Sequence, residues 1–134
     1  MAIQYSTTHR TNAMADIATQ AGTSATIKIW SGTPPATCAT ADTGTLLVTL
    51  TGNASGLGSA SGGVLTFSTI TPGTAVATGT AGYFRVYPSA ASATNSVLQG
   101  TVGTSGTDMI IASSSISSGQ TVSISSWTIT AYGA

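Results

Sequence analysis

Glutamate is missing altogether from the 134 residues of this chain, and charge of either sign is scarce: three acidic and three basic side chains, with one histidine and one cysteine. The six charges are Arg10, Asp16, Lys28, Asp42, Arg85 and Asp108. A typical globular domain carries about a quarter charged residues. General acid–base catalysis needs titratable groups brought together, and this sequence has few to bring. Zero net charge leaves no electrostatic footprint for nucleic acid or an anionic membrane. A lone Cys38 cannot close an internal disulfide, and a zinc site wants several Cys or His ligands. No apolar run approaches the ~20 residues that span a bilayer. The start, Met1-Ala2-Ile3-Gln4-Tyr5-Ser6, lacks the basic-then-apolar pattern of a secretory signal. These absences predict a non-enzymatic protein, made in a cytoplasm, without cofactor, metal, nucleic acid or membrane.

What is present is small and β-prone. Gly, Ala, Ser and Thr account for 81 residues, and Leu, Ile, Val and Phe for only 25. Low apolar content signals disorder when net charge is high, which it is not here. The composition predicts one folded domain over 1–134, with a thin core packed from small residues.

Periodicity places one helix at about 9–21. Ala13, Met14, Ile17, Ala18 and Ala21 recur at three- and four-residue steps. Thr7 or Thr8 supplies a cap, and Gly22 suits the left-handed stop. Residues 1–8 form a short arm. The remainder reads as strands: 25–30, 45–51, 64–70, a weak 74–78, 82–87, 97–102, 108–112 and a long 121–132. In the last, the apolar phase slips between Ile124 and Trp127, which predicts a bulge at Ser125-Ser126. Residues 52–63 read as a mobile Gly/Ser loop. Pro34-Pro35 excludes 32–44 from a central strand. Seven or eight short runs predict an antiparallel β-sandwich, immunoglobulin-like or jelly-roll-like.

No catalytic signature survives inspection. Gly58-Ser59-Ala60-Ser61-Gly62 has Ala where a nucleophile elbow has Ser. Gly56, Gly58 and Gly62 miss the dinucleotide fingerprint. Asp42 and Asp108 sit beside Thr and Gly and read as turn residues bonding local backbone N–H groups. Asn53-Ala54-Ser55 matches a glycosylation sequon without a secretory context. Cys38 reads as a buried apolar plug. His9 and Arg10 read as solvated residues of the first helical turn.

The aromatic residues are the best lead. Tyr83, Arg85 and Tyr87 share one strand face opposite Phe84 and Val86, and Lys28 and Trp30 lie opposite Ile27 and Ile29. Tyr, Trp and Arg are enriched at protein interfaces. The candidate interface is therefore Lys28, Trp30, Tyr83, Arg85 and Tyr87, joined by Ile3 and Tyr5 of the arm. The alternatives are a face covered within the chain, for example by the helix, and an aromatic row that stacks on sugar rings.

A framework of short motifs resembles small structural proteins of tailed bacteriophages and prophages. It runs through Ile27-Lys28-Ile29-Trp30-Ser31-Gly32, Pro34-Pro35-Ala36, Cys38 and Thr43-Gly44-Thr45-Leu46-Leu47. It continues in Gly82-Tyr83-Phe84-Arg85-Val86-Tyr87, Gln99-Gly100-Thr101-Val102-Gly103, Ile116 and Gly119-Gln120-Thr121-Val122. The resemblance implies a virion structural protein and no active site. It raises the expectation of a capsid decoration or cement protein that bridges subunits of the major capsid protein, in many copies or as a homo-oligomer. A tail-fibre or baseplate protein and a carbohydrate-binding adhesion module are the alternatives.

Overall fold

The computed structural model describes residues 2–134; the expectations for Met1 lie outside the described residues. The chain is mainly β with one helix, and its strands fall into several sheets.

Helix α1 (Thr7–Ala21) starts two residues before the expected position. Ser6 caps it in place of Thr7 or Thr8, accepting the His9 N–H at 3.1 Å. It ends at Gly22, whose φ is +68° and whose N–H bonds the Ala18 carbonyl. Four of the five residues of the expected stripe face inward: Ala21 is buried, and Met14, Ile17 and Ala18 pack against the core, while Ala13 is exposed.

The main sheet runs in the order β2 (Leu46–Thr51), β1 (Thr26–Ser31), β6 (Gly79–Tyr87), β7 (Leu98–Gly103), β8 (Met109–Ile110). The short β9 (Ser115–Ile116) also pairs with β6. β6 is the central strand, buried without a break from Tyr83 to Tyr87. A second sheet joins β11 (Thr128–Thr130), β4 (Val64–Phe67) and β3 (Gly58–Ser61), and α1 lies on β3 and β4. β5 (Gly73–Thr74) and β10 (Thr121–Val122) form a small ribbon. The core collects Ile27, Ile29, Val48, Leu50, Leu65, Phe67, Phe84, Val86 and Trp127 between these elements.

Four expectations need correction. The 52–63 segment is not all loop: Gly58–Ser61 is strand β3, hairpinned to β4 through Gly62 and Gly63, both at positive φ. A Cβ on Gly58 would sit 2.3 Å from the Thr66 carbonyl oxygen, so only glycine lets the strands close. Pairing is not wholly antiparallel, since β7 and β8 run parallel. The 121–132 run is not one bulged strand; it breaks into β10 and β11, joined by irregular chain that still buries Ile124 and Trp127. The expected seven or eight strands are eleven segments, several only two residues long, because Gly, Pro and Ser interrupt the pairing.

Candidate functional site

Alternation along β6 sends Phe84 and Val86 into the core and Tyr83, Arg85 and Tyr87 to the other face. Register then sets their neighbours. Lys28 and Trp30 of β1 stand opposite Arg85 and Tyr83, and Gln99 of β7 stands opposite Arg85. The sequence grouped these residues correctly, but they do not form an open surface. Tyr83, Arg85 and Tyr87 are fully buried, and Lys28 and Trp30 are half-buried.

The cover is the proline-containing loop, not the helix. Residues 32–45 fold back over this face, and residues 88–97 close it from the side. Arg85 ties both down. Its Nη1 donates to Asp42 Oδ1 at 2.8 Å and to the Ala93 carbonyl at 3.1 Å; its Nη2 donates to the Thr37 carbonyl at 2.9 Å; its Nε donates to Gln99 Oε1 at 3.0 Å. Gln99 passes the network on, donating to the Pro35 carbonyl at 2.7 Å. The Tyr87 hydroxyl donates to the same Asp42 oxygen. Tyr83 both donates to the Thr43 carbonyl and accepts the Thr43 N–H. Ser96 donates to the carbonyl of half-buried Cys38. Lys28 Nζ stands 5.2 Å above the Tyr87 ring, a cation–π distance, and Trp30 stacks on Tyr83 with ring centroids 6.3 Å apart.

Electrostatics follow from this enclosure. Burial raises the Tyr87 pKa well above its ordinary 10.0, and the bond to Asp42 raises it further, against a lowering by Arg85. Tyr87 is thus a hydroxyl donor at any ordinary pH. Arg85 and Asp42 form the salt bridge expected of a buried charge, which is costly unless paired and hydrogen-bonded. Asp42 is therefore not the local turn residue the sequence implied; it is the counterion for a residue 43 positions away. Arginine elimination held the clue: a buried Arg85 needs a carboxylate, and only three acids exist.

The remaining chemistry-bearing groups are scattered. Asp108 holds β7, taking the Thr101 N–H at 2.8 Å and the Thr101 hydroxyl at 2.9 Å. Asp16 accepts from Gln20 on the exposed face of the helix. His9 is exposed and stacks on Tyr5. Among the described residues no three His, Cys, Asp or Glu side chains gather in a metal-holding group. No described helix is long and apolar enough to cross a membrane. The Arg85 cluster is a clasp: the Arg85 guanidinium, the Asp42 carboxylate, the Gln99 amide and the Tyr83 and Tyr87 hydroxyls bond one another and the loop backbone, while the Trp30 Nε1 is buried without a hydrogen-bond partner.

Comparison with protein-family models, with curated proteins and with solved structures finds no match.

Proposed function

We propose that this chain is a virion structural protein that decorates an assembled phage head and bridges its capsid subunits. One observation carries the reading: charge is scarce, and its central pair, Arg85 and Asp42, is spent inside the fold. Arg85 and Asp42 hold loops, Asp108 holds a strand, and little is left on the surface for chemistry or long-range steering. The phage-like framework supports it, since Trp30, Pro34-Pro35, Thr43, Tyr83, Arg85 and Gln99 of that framework are the parts of the clasp. On this reading the six-stranded and three-stranded sheets pack as a sandwich, with the clasp loops on its outer side. Modest contacts repeated at many symmetric sites hold a shell through multivalency.

The burial of Tyr83 removes the aromatic row on which a sugar-binding module would rest. Purified virions test the proposal. Quantitative mass spectrometry is expected to give a copy number commensurate with the capsomers, and electron microscopy to place the protein on the head. A few copies per particle, or density on the tail alone, would overturn the decoration reading in favour of a tail-fibre or baseplate component.

A further inference from the structure

Among the described residues five large apolar side chains remain exposed: Ile3, Tyr5, Val76, Ile110 and Tyr132. Four of them lie in two places. Ile3 and Tyr5 belong to the arm. Tyr132 and Ile110 border two adjoining clefts, of about 450 and 310 Å³, that share Thr107, Asp108 and Thr128. The larger cleft has an apolar lining in Phe84, Leu98 and Ile129.

Unpaired strand edge lies along it. β11 pairs with β4 alone. The Trp127 carbonyl and the Ala131 N–H turn towards β4, bonding Phe67 and Gly63. Antiparallel bonding alternates, so the N–H and C=O groups of Thr128 and Thr130 turn the other way, towards the cleft. Across it, β7 meets β8 only from Val102 onward, which leaves its earlier residues without a strand on that side. Such an edge is a template for a further strand.

We propose that the arm of a second copy adds to the free edge of β11 as an extended strand in this cleft. The arm has the pattern for it. In Ala2-Ile3-Gln4-Tyr5-Ser6 the large apolar residues alternate with small or polar ones, so a pleated strand presents Ile3 and Tyr5 to one side. It carries no charge, and the one charged side chain lining the cleft, Asp108, is already held by Thr101. The chain's own arm does not take this place. No residue of the arm lines the cleft, Ile3 is 78% exposed, and Tyr5 is held to one side by its N–H bond to the Gly133 carbonyl at 2.8 Å. Exchange of arms between two copies brings Ile3 and Tyr5 against the apolar lining of the cleft and pairs the free edge of β11 in one step. The inference rests on the reading of this chain as an assembly component, and self-association in solution is measured separately from any location on a particle.

Sedimentation velocity on the full chain across a wide range of concentration tests it. The wild-type protein is expected to self-associate. Thr130→Pro removes an outward N–H and no bond to β4. Ile3→Asp puts a charge on the exposed arm, where the monomer tolerates it. Each is expected to weaken association about thirtyfold or more, as loss of a central interface anchor does. Melting of Ile3→Asp should match wild type, which separates lost association from lost folding even if Thr130→Pro folds poorly. A synthetic peptide of residues 2–6 should dissociate the wild-type assembly. A wild-type protein that stays monomeric throughout, or an association that Ile3→Asp leaves unchanged, would overturn the proposal.

Discussion

Arg85→Met is the sharpest probe of the clasp. Methionine keeps the stem packed among the aromatic rings and deletes the guanidinium. Four hydrogen bonds go with it, to Asp42, Ala93, Thr37 and Gln99. The Asp42 carboxylate, only 10% exposed, is then left without its counterion. Removing one partner of a buried pair costs about 3–5 kcal/mol. Single domains have about 5–15 kcal/mol of stability in all, so the variant should be marginal. For a chain of this length each kcal/mol shifts the midpoint by roughly 3–6 °C, and the predicted fall in Tm is on the order of 10–25 °C. Asp42→Leu in the same chain should recover much of that loss, because the stranded charge disappears and the Thr37 and Ala93 carbonyls belong to exposed residues that water reaches. A double-mutant cycle in urea, followed by tryptophan fluorescence, should therefore give a coupling of about 2–3 kcal/mol. Hydrogen exchange should show residues 33–43 and 88–97 losing protection before the main sheet does. An Arg85→Met variant within about 0.5 kcal/mol of wild type, the range of an ordinary surface change, would refute the reasoning.

Three further outcomes are expected. Trp127→Ala should cost about 3–5 kcal/mol by denaturant unfolding, because its ring stacks on Phe67 at 3.8 Å, meets Phe84 edge-on and donates to the Asp108 carbonyl; near-wild-type unfolding would mean this contact is not part of the core. Gly82→Ala should prevent β6 from closing on the turn at Gly32, since its Cβ would fall 1.8 Å from the Gly32 carbonyl oxygen, and circular dichroism should show a much lower melting point, whereas an unchanged one would contradict that approach. Tyr87→Phe should change the alkaline limb of stability. The folded chain holds the Tyr87 proton above pH 10.0, where the unfolded chain releases it, so this contribution is complete below pH 10 and is lost as pH climbs towards the raised folded value, at up to about 1.4 kcal/mol per pH unit. Tyr87→Phe should lack that one-proton component, and parallel wild-type and variant profiles between neutral and strongly alkaline pH would count against it.

The parts of this fold legible in the sequence are those where a period of two or 3.6 governs burial. Phe84 and Val86 alternate with Tyr83, Arg85 and Tyr87 because β6 is a strand, and the spacing of Met14, Ile17, Ala18 and Ala21 fixes the helix face. What escaped was decided by tertiary contact. Gly58-Ser59-Ala60-Ser61 carries no large apolar residue, so nothing local marks it as β3; it becomes a strand because β4 offers it a bonding edge and α1 a surface. The covering of Tyr83, Arg85 and Tyr87 within the candidate interface escaped for a related reason. Alternation shows which residues share a face and not what covers it, and the cover here is an irregular loop without periodicity. The missed signal was electrostatic: in a chain this poor in charge, an arginine between two tyrosines on a strand demands a counterion, and Asp42 follows the one rigid Pro-Pro segment in the sequence.

That demand also explains how so few charges suffice. A buried ion pair contributes little net stability over a well-packed apolar substitute, so the gain from Arg85 is better sought in geometry. A guanidinium offers donors in a fixed planar fork, and here four of its bonds reach an acidic side chain, an amide side chain and two separate loop carbonyls. An apolar residue would fill the same space without fixing where either loop lies. Once Arg85 and Asp42 are enclosed, Asp16 and Asp108 are the exposed acids and no arginine or lysine is more than half exposed. Little charge remains at the surface to hold copies apart, and the apolar side chains left in contact with water are concentrated at the arm and at the cleft beside β11. The same economy that fixes the loops thus leaves any self-association to be decided by shape and strand pairing, with ionic strength a minor influence.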